Sequence, residues 1–162
     1  MTVNKVVEKA REVVKDLLDK GMVLEVTYNE KTDVVYIRLD CGVCNSLRIA
    51  TKPGEVYASY RYNLLPGITE EYKTSHRYLR YFYPFSKSDQ LIEKILTDKE
   101  EKIRKQSLSR YELSMINNQK MNKMLMTFWQ NAILIKTEED INKALKIKAG
   151  ITEDGISLLD LV

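Results

Sequence analysis

The sequence predicts an α+β fold: an N-terminal helix packed on an antiparallel sheet of four to five strands, followed by a helical C-terminal half. Three observations predict it. Val34 to Asn63 alternates apolar and polar residues with period two, the stretch before it repeats with the period of a helix, and the helical period returns after Pro84. At 162 residues the chain is expected to form one domain, 1–162, with 1–85 carrying the helix and sheet and 86–162 a helical subdomain.

The first element runs from Val3 to Lys20, where Val3, Val6, Val7, Ala10, Val13, Val14, Leu17 and Leu18 recur at helical spacing. Thr2 is a candidate cap and Gly21 a stop. Its valine-rich stripe has weak helix propensity, so packing against the apolar face of the sheet must supply the stability. Met22 to Asn29 reads as the first strand. If Asn29 pairs with Val34, Glu25 lies across from Arg38 and neutralises it, and Leu24, Val26 and Tyr28 join the apolar face.

The next three strands fix the character of the sheet. Val35, Ile37 and Leu39 face one way, and Tyr36, Arg38 and Asp40 the other. Leu47 and Ile49 oppose Ser46 and Arg48, and Ala58, Tyr60 and Tyr62 oppose Tyr57, Ser59 and Arg61. A slip of one residue would turn a strand over, so the register can be derived. A tight turn at Pro53-Gly54 pairs Lys52 with Glu55, Arg48 with Ser59 and Ser46 with Arg61. Around Cys41-Gly42-Val43-Cys44 the faces match only if the loop is odd in length, and a three-residue loop or a glycine bulge is expected.

Leu64-Leu65-Pro66-Gly67 breaks the pattern. Ser75 to Tyr83 is aromatic and basic together, and β propensity favours a fifth strand ending before Pro84, with a helix from Thr69 to Tyr83 as the competing assignment. Seven of the ten tyrosines lie between Val56 and Pro84. Beyond it, Ser86-Lys87-Ser88-Asp89 resembles a capping box opening a helix through Leu91, Ile92, Ile95 and Leu96 into the charged run DKEEKIRK. Ser109-Arg110-Tyr111-Glu112 opens another, apolar nearly all round from Met121 to Ile135. Thr137-Glu138-Glu139-Asp140 caps a short third helix, and Ile156 to Val162 is apolar enough to dock as a strand or arm.

Composition bounds the function. With a net charge of only +3, electrostatics must come from local clustering. The N-terminus turns charged and amphipathic at once and no apolar run approaches a membrane span, so a cytoplasmic protein without membrane contact is expected. Two cysteines without a secretory signal argue against a structural disulfide.

Four features carry candidate chemistry. Cys41 and Cys44 have redox-motif spacing, but a strand and not a helix follows them, and zinc would need ligands from a second chain. His76 is the single histidine, with Glu70, Glu71 and Asp40 as partners for proton transfer, although no phosphate loop, nucleophile elbow or metal motif accompanies it. No cofactor or catalytic residue is assigned. The third feature is the basic, tyrosine-rich sheet face. Arg38, Arg48, Arg61, Tyr57, His76, Arg77, Tyr78, Arg80 and Tyr81 suit an anionic planar ligand, because guanidinium forks grip phosphate while rings stack on bases. A protein interface enriches the same residue types. Fourth, Met121, Met124, Leu125, Phe128 and Trp129 form core or a homodimer seam, with Asn118 and Asn122 as candidate register-fixing polar groups.

The run SLRIATKPG followed by SYRYNL resembles a pattern in small uncharacterised accessory proteins of Gram-positive bacteriophages and mobile elements, over Arg38 to Asn63. Thr51-Lys52 stands where that pattern has an acidic-histidine turn. The resemblance implies a small protein that acts by binding, including interference with a host defence system. The expected function is thus non-enzymatic binding of nucleic acid or a phosphate-bearing nucleotide. The alternative is a protein-directed inhibitor of a host or defence protein, and the third is a redox or zinc-linked protein using Cys41 and Cys44.

Overall fold

A computed structural model describes residues 4–52, 54–63, 78–124 and 128–147. Helix α1 (Lys5–Asp19) leads into strands β1 (Leu24–Asn29), β2 (Val34–Leu39), β3 (Asn45–Lys52), β4 (Glu55–Asn63) and β5 (Tyr78–Pro84). Helices α2 (Ser88–Gln106) and α3 (Leu108–Met124) follow, then a short turn Phe128–Asn131, strand β6 (Ile133–Ile135) and helix α4 (Glu138–Ala144). The fold is α+β, and its sheet is antiparallel in the order β5-β4-β3-β2-β1-β6.

Alternation decides which side each strand buries. Val35, Ile37, Leu47, Ile49, Ala58 and Tyr60 are all buried beneath the helices, and α1 sets Val6, Ala10, Val13, Val14 and Leu17 against them. Leu91, Ile95, Tyr111, Ile135 and Ile141 belong to the same core, so both halves of the chain contribute to it. The derived register is observed: Asn29 pairs with Val34, Glu25 with Arg38, Ser46 with Arg61, Arg48 with Ser59 and Lys52 with Glu55.

Several local expectations are corrected. Asn4, not Thr2, caps α1, accepting from the Val7 amide at 3.1 Å, and Thr2 lies outside the described residues. No capping box opens α2. A 3-10 turn, Phe85–Lys87, follows Pro84, and Lys87 precedes the helix without a side-chain cap bond. The start of α3 is set by Ser107, whose φ of 104° ends α2 and whose hydroxyl accepts from the Arg110 amide. The capping box at Thr137 and Asp140 is present.

The largest correction concerns the long apolar helix. Its described part runs to Met124, residues 128–131 form a 3-10 turn, and Ile133–Ile135 pairs antiparallel with β1 as a sixth strand. Three apolar residues satisfy either period, and an available sheet edge decides in favour of the strand. The Thr69 to Tyr83 helix is overturned over Tyr78 to Tyr83, which pairs with β4. Residues 64–77 and the 156–162 arm lie outside the described residues.

The turn between β2 and β3 is odd in length, as parity requires, but holds five residues, 40–44, and not three. Asp40, Cys41 and Gly42 have φ of 49°, 56° and 85°. Left-handed backbone at two non-glycine residues costs energy unless its surroundings hold it. Here they do. The Asp40 carboxylate accepts from the Val23 amide at 2.9 Å, the Tyr111 hydroxyl at 2.6 Å and the Lys99 ammonium at 2.9 Å. The Lys102 ammonium, reached from α2 and 0% exposed, donates to the carbonyls of Val43 and Cys44 at 2.8 and 2.6 Å and to Asn45 Oδ1 at 3.0 Å. A Cβ at position 42 would meet the Arg38 stem at 3.4 Å, an ordinary contact, so it is the positive φ that favours glycine there.

Lys102→Met is expected to destabilise the protein by about 3 kcal/mol or more, because three buried acceptors lose their donor. Lys105→Met, exposed on the same helix, should change stability by no more than about 0.5 kcal/mol. Urea midpoints at constant m-value check the pair.

Candidate phosphate-binding face

The face of the sheet turned away from α1 presents two cross-strand rows. Glu25, Arg38, Ser46, Arg61 and Arg80 lie in register across β1 to β5, and Tyr36, Arg48, Ser59 and Phe82 form the next row. The first row begins with its own counter-charge. Arg38 Nε and Nη2 both bond Glu25 Oε1, at 2.9 and 2.6 Å, and both residues are buried. Arg38 also sits 5.8 Å from the centre of the Trp129 ring. Arg38 is thus buried and paired beside the cleft, outside its lining residues.

Arg48, Arg61 and Arg80 line a cleft of about 340 Å³ together with Tyr36, Ser46, Ser59 and Trp129. Arg61 and Arg80 are exposed and Arg48 is half-buried. Arg48 Nε is buried with no hydrogen-bond partner among the described residues. A desolvated donor of this kind is rare, since nearly all buried polar groups find a partner. Beyond the cleft, Tyr57 and the exposed Phe82 stand with ring centres 6.3 Å apart, and the Lys52 ammonium lies 5.1 Å from each ring.

Of the residues proposed from sequence, Arg48, Arg61 and Arg80 come together, with Tyr57 nearby. Tyr81 does not. It pairs with the buried Tyr60, its ring 6.2 Å from that residue and 4.7 Å from the Lys94 ammonium of α2, so it faces the helices. The pleat divides this strand: Arg80 and Phe82 share the outer face, while Tyr81 and Tyr83 lie with the inner one. His76 and Arg77 lie outside the described residues, as does the Tyr78 side chain. Sequence reasoning missed Phe82, Tyr36 and Trp129. Parity would have found the first two, whereas Trp129 reaches the face only through the turn before β6.

Comparison with family models, with curated proteins and with solved structures finds no match. The face must be read from its own chemistry.

The remaining candidates take other roles. Cys41 and Cys44 are buried and unbridged. Burial, then the nearby Glu25 carboxylate, pushes the Cys41 thiol up to about 11, and burial alone outweighs the Lys102 charge in pushing Cys44 up to about 12. Thiols held protonated are poor nucleophiles and poor metal ligands. No group of three metal-binding side chains occurs among the described residues. Asn118 donates to the Cys41 carbonyl at 3.1 Å within the chain. Met121 is exposed, while the side chains of Asn122, Met124, Leu125 and Phe128 lie outside the described residues. Among the described residues, no helix is long and apolar enough to cross a membrane.

Burial also raises the Tyr60 and Tyr111 hydroxyls, and takes Tyr28 up to about 12. A group whose folded pKa is raised keeps its contribution below its ordinary pKa and loses it as pH climbs through the folded value. Stability should therefore decline from about pH 9, where unfolded thiols ionise, and faster above pH 10, where phenols join. Lys102, lowered to about 8 by burial, works in the opposite direction between 8 and 10.5, but it is one group against six, since burial raises the Tyr83 hydroxyl as well. Thermal melts across this range check the trend. Cys41→Ser with Cys44→Ala should delay its onset to about pH 10, and a flat profile would contradict it.

Proposed function

We propose that this protein acts by binding and not by catalysis, holding nucleic acid or a phosphate-bearing nucleotide on the outer face of its sheet. The observation that carries the reading is the convergence of Arg48, Arg61 and Arg80 from three adjacent strands on one cleft, with the buried Arg48 Nε lacking an acceptor. Three guanidinium groups lining one cleft present several N–H donors to an anion. Phosphate fits best because its oxygens match the planar donor fork. Arg38 is held in the buried Glu25 pair at the end of its row. Such an activity suits a small accessory protein of the phage or mobile-element kind.

A protein partner is the second reading, an inhibitor of a host or defence component. Leu108, Leu113, Ile116 and Met121 favour it, since all are half exposed or more along α3. The two readings place their contacts on different surfaces. Arg61→Glu with Arg80→Glu changes two exposed residues and should leave the melting temperature within about 2 °C, since surface substitutions cost little. By fluorescence anisotropy the double variant is expected to lose at least about 100-fold in affinity for a single-stranded oligonucleotide. Undiminished affinity would remove the phosphate reading, and retention of a host protein by that variant but not by Ile116→Asp would establish the other.

A further inference from the structure

We infer that the ligand is a single strand of several nucleotides laid across the strands of the sheet, with bases stacked on Trp129 at one end and Phe82 at the other. This rests on the phosphate-binding reading above and narrows its substrate class. The argument is one of spacing. Trp129 lies against Arg38 of β2, and Phe82 projects from β5, three strand spacings away. Adjacent strands lie about 4.8 Å apart, so the two aromatic walls stand on the order of 14 Å from one another. Between them sit Arg48 on β3 and Arg61 on β4, with Arg80 beside Phe82 on β5. One nucleotide brings one base and one sugar-phosphate, and reaches a single wall. A strand brings bases at both ends and phosphates between them, in the order in which the face offers rings and guanidinium groups.

The aromatic groups suit this role on independent grounds. Phe82 is 54% exposed on a strand whose inward residues are packed, so its ring serves no core. Tyr57 stands beside it in the neighbouring strand, tilted by 41°, and widens the platform. Lys52 covers both rings on a long exposed stem. A base taking its place leaves the ammonium within reach of the adjoining phosphate. At the other wall the Arg38 guanidinium, itself held by Glu25, fixes the Trp129 ring. Base stacking on such rings tolerates any sequence, because every base has a π-face. A duplex hides its bases between its own stacks and offers these rings nothing.

Trp129 is the sole tryptophan of the chain, so its fluorescence reports directly on one wall. Titration of the full chain with an oligothymidylate of about twelve nucleotides, with thymidine monophosphate, and with a duplex of equal length tests the inference. The expected result is quenching of Trp129 by the single strand, at an affinity at least tenfold above that of the mononucleotide and of the duplex. Phe82→Ala, a change at an exposed position, should weaken the single strand about fivefold or more and leave mononucleotide affinity within about twofold. Equal affinity for mononucleotide and strand, equal affinity for duplex, or indifference to Phe82→Ala would each overturn the single-strand inference while leaving phosphate binding in place. Absence of binding to all three ligands would overturn the phosphate reading itself.

Discussion

Everything on the outer face depends on the parity of one turn. Five residues separate Leu39 from Asn45, and because five is odd, Arg38 and Ser46 face the same way. With four or six, β3 would turn over and Arg48 would point into the apolar core beside α1. Parity cannot be left to a flexible loop. The left-handed path of Asp40, Cys41 and Gly42 is held from two helices and the residue before β1 at once, through Lys99 and Lys102 of α2, Tyr111 of α3 and the Val23 backbone. Buried charge is an expensive way to hold a turn: removing one partner is costly because the others stay buried and unpaired, whereas replacing a whole ionic set by apolar groups is often neutral for stability. Lys102 and Asp40 are better understood as specifying this turn against others of similar length.

The second consequence is electrostatic. A sheet face carrying four arginines in two rows would repel itself, and the buried pair with Glu25 balances Arg38. That pair sits at the end of its row, under Trp129. Arg48, Arg61 and Arg80 line the cleft from β3, β4 and β5. Net charge is nearly balanced over the whole chain, so the asymmetry is a property of register and would vanish if residues were counted without being placed.

Much of this was legible in the sequence. Alternation through Val34 to Asn63, a two-residue turn at Pro53-Gly54 and the pairing of Asn29 with Val34 sufficed to place Glu25 opposite Arg38 and Ser46 opposite Arg61. These follow because β geometry has a period of two and one buried face. What could not be read came from contacts distant in the chain. Ile133–Ile135 is too short to show a period, and its identity is set by the open edge of β1. Trp129 was assigned to a helix seam because nothing local shows that the chain crosses to the outer face there. The clustering of tyrosines near Tyr81 misled for a different reason. Composition was read as a patch, although the pleat divides neighbouring residues between two faces. The Lys102 and Asp40 network was invisible for the same cause as Trp129: its partners are joined by packing and not by spacing.

The central claim is that Arg48, Arg61 and Arg80 act together on phosphate because the turn places them on one face. The dependence of single-strand affinity on salt measures this most directly, since each phosphate neutralised releases counterions and adds about −0.7 to the slope of log K against log salt. Three arginines acting together predict a slope of about −2. A slope near zero, or binding that strengthens with salt, would contradict the account.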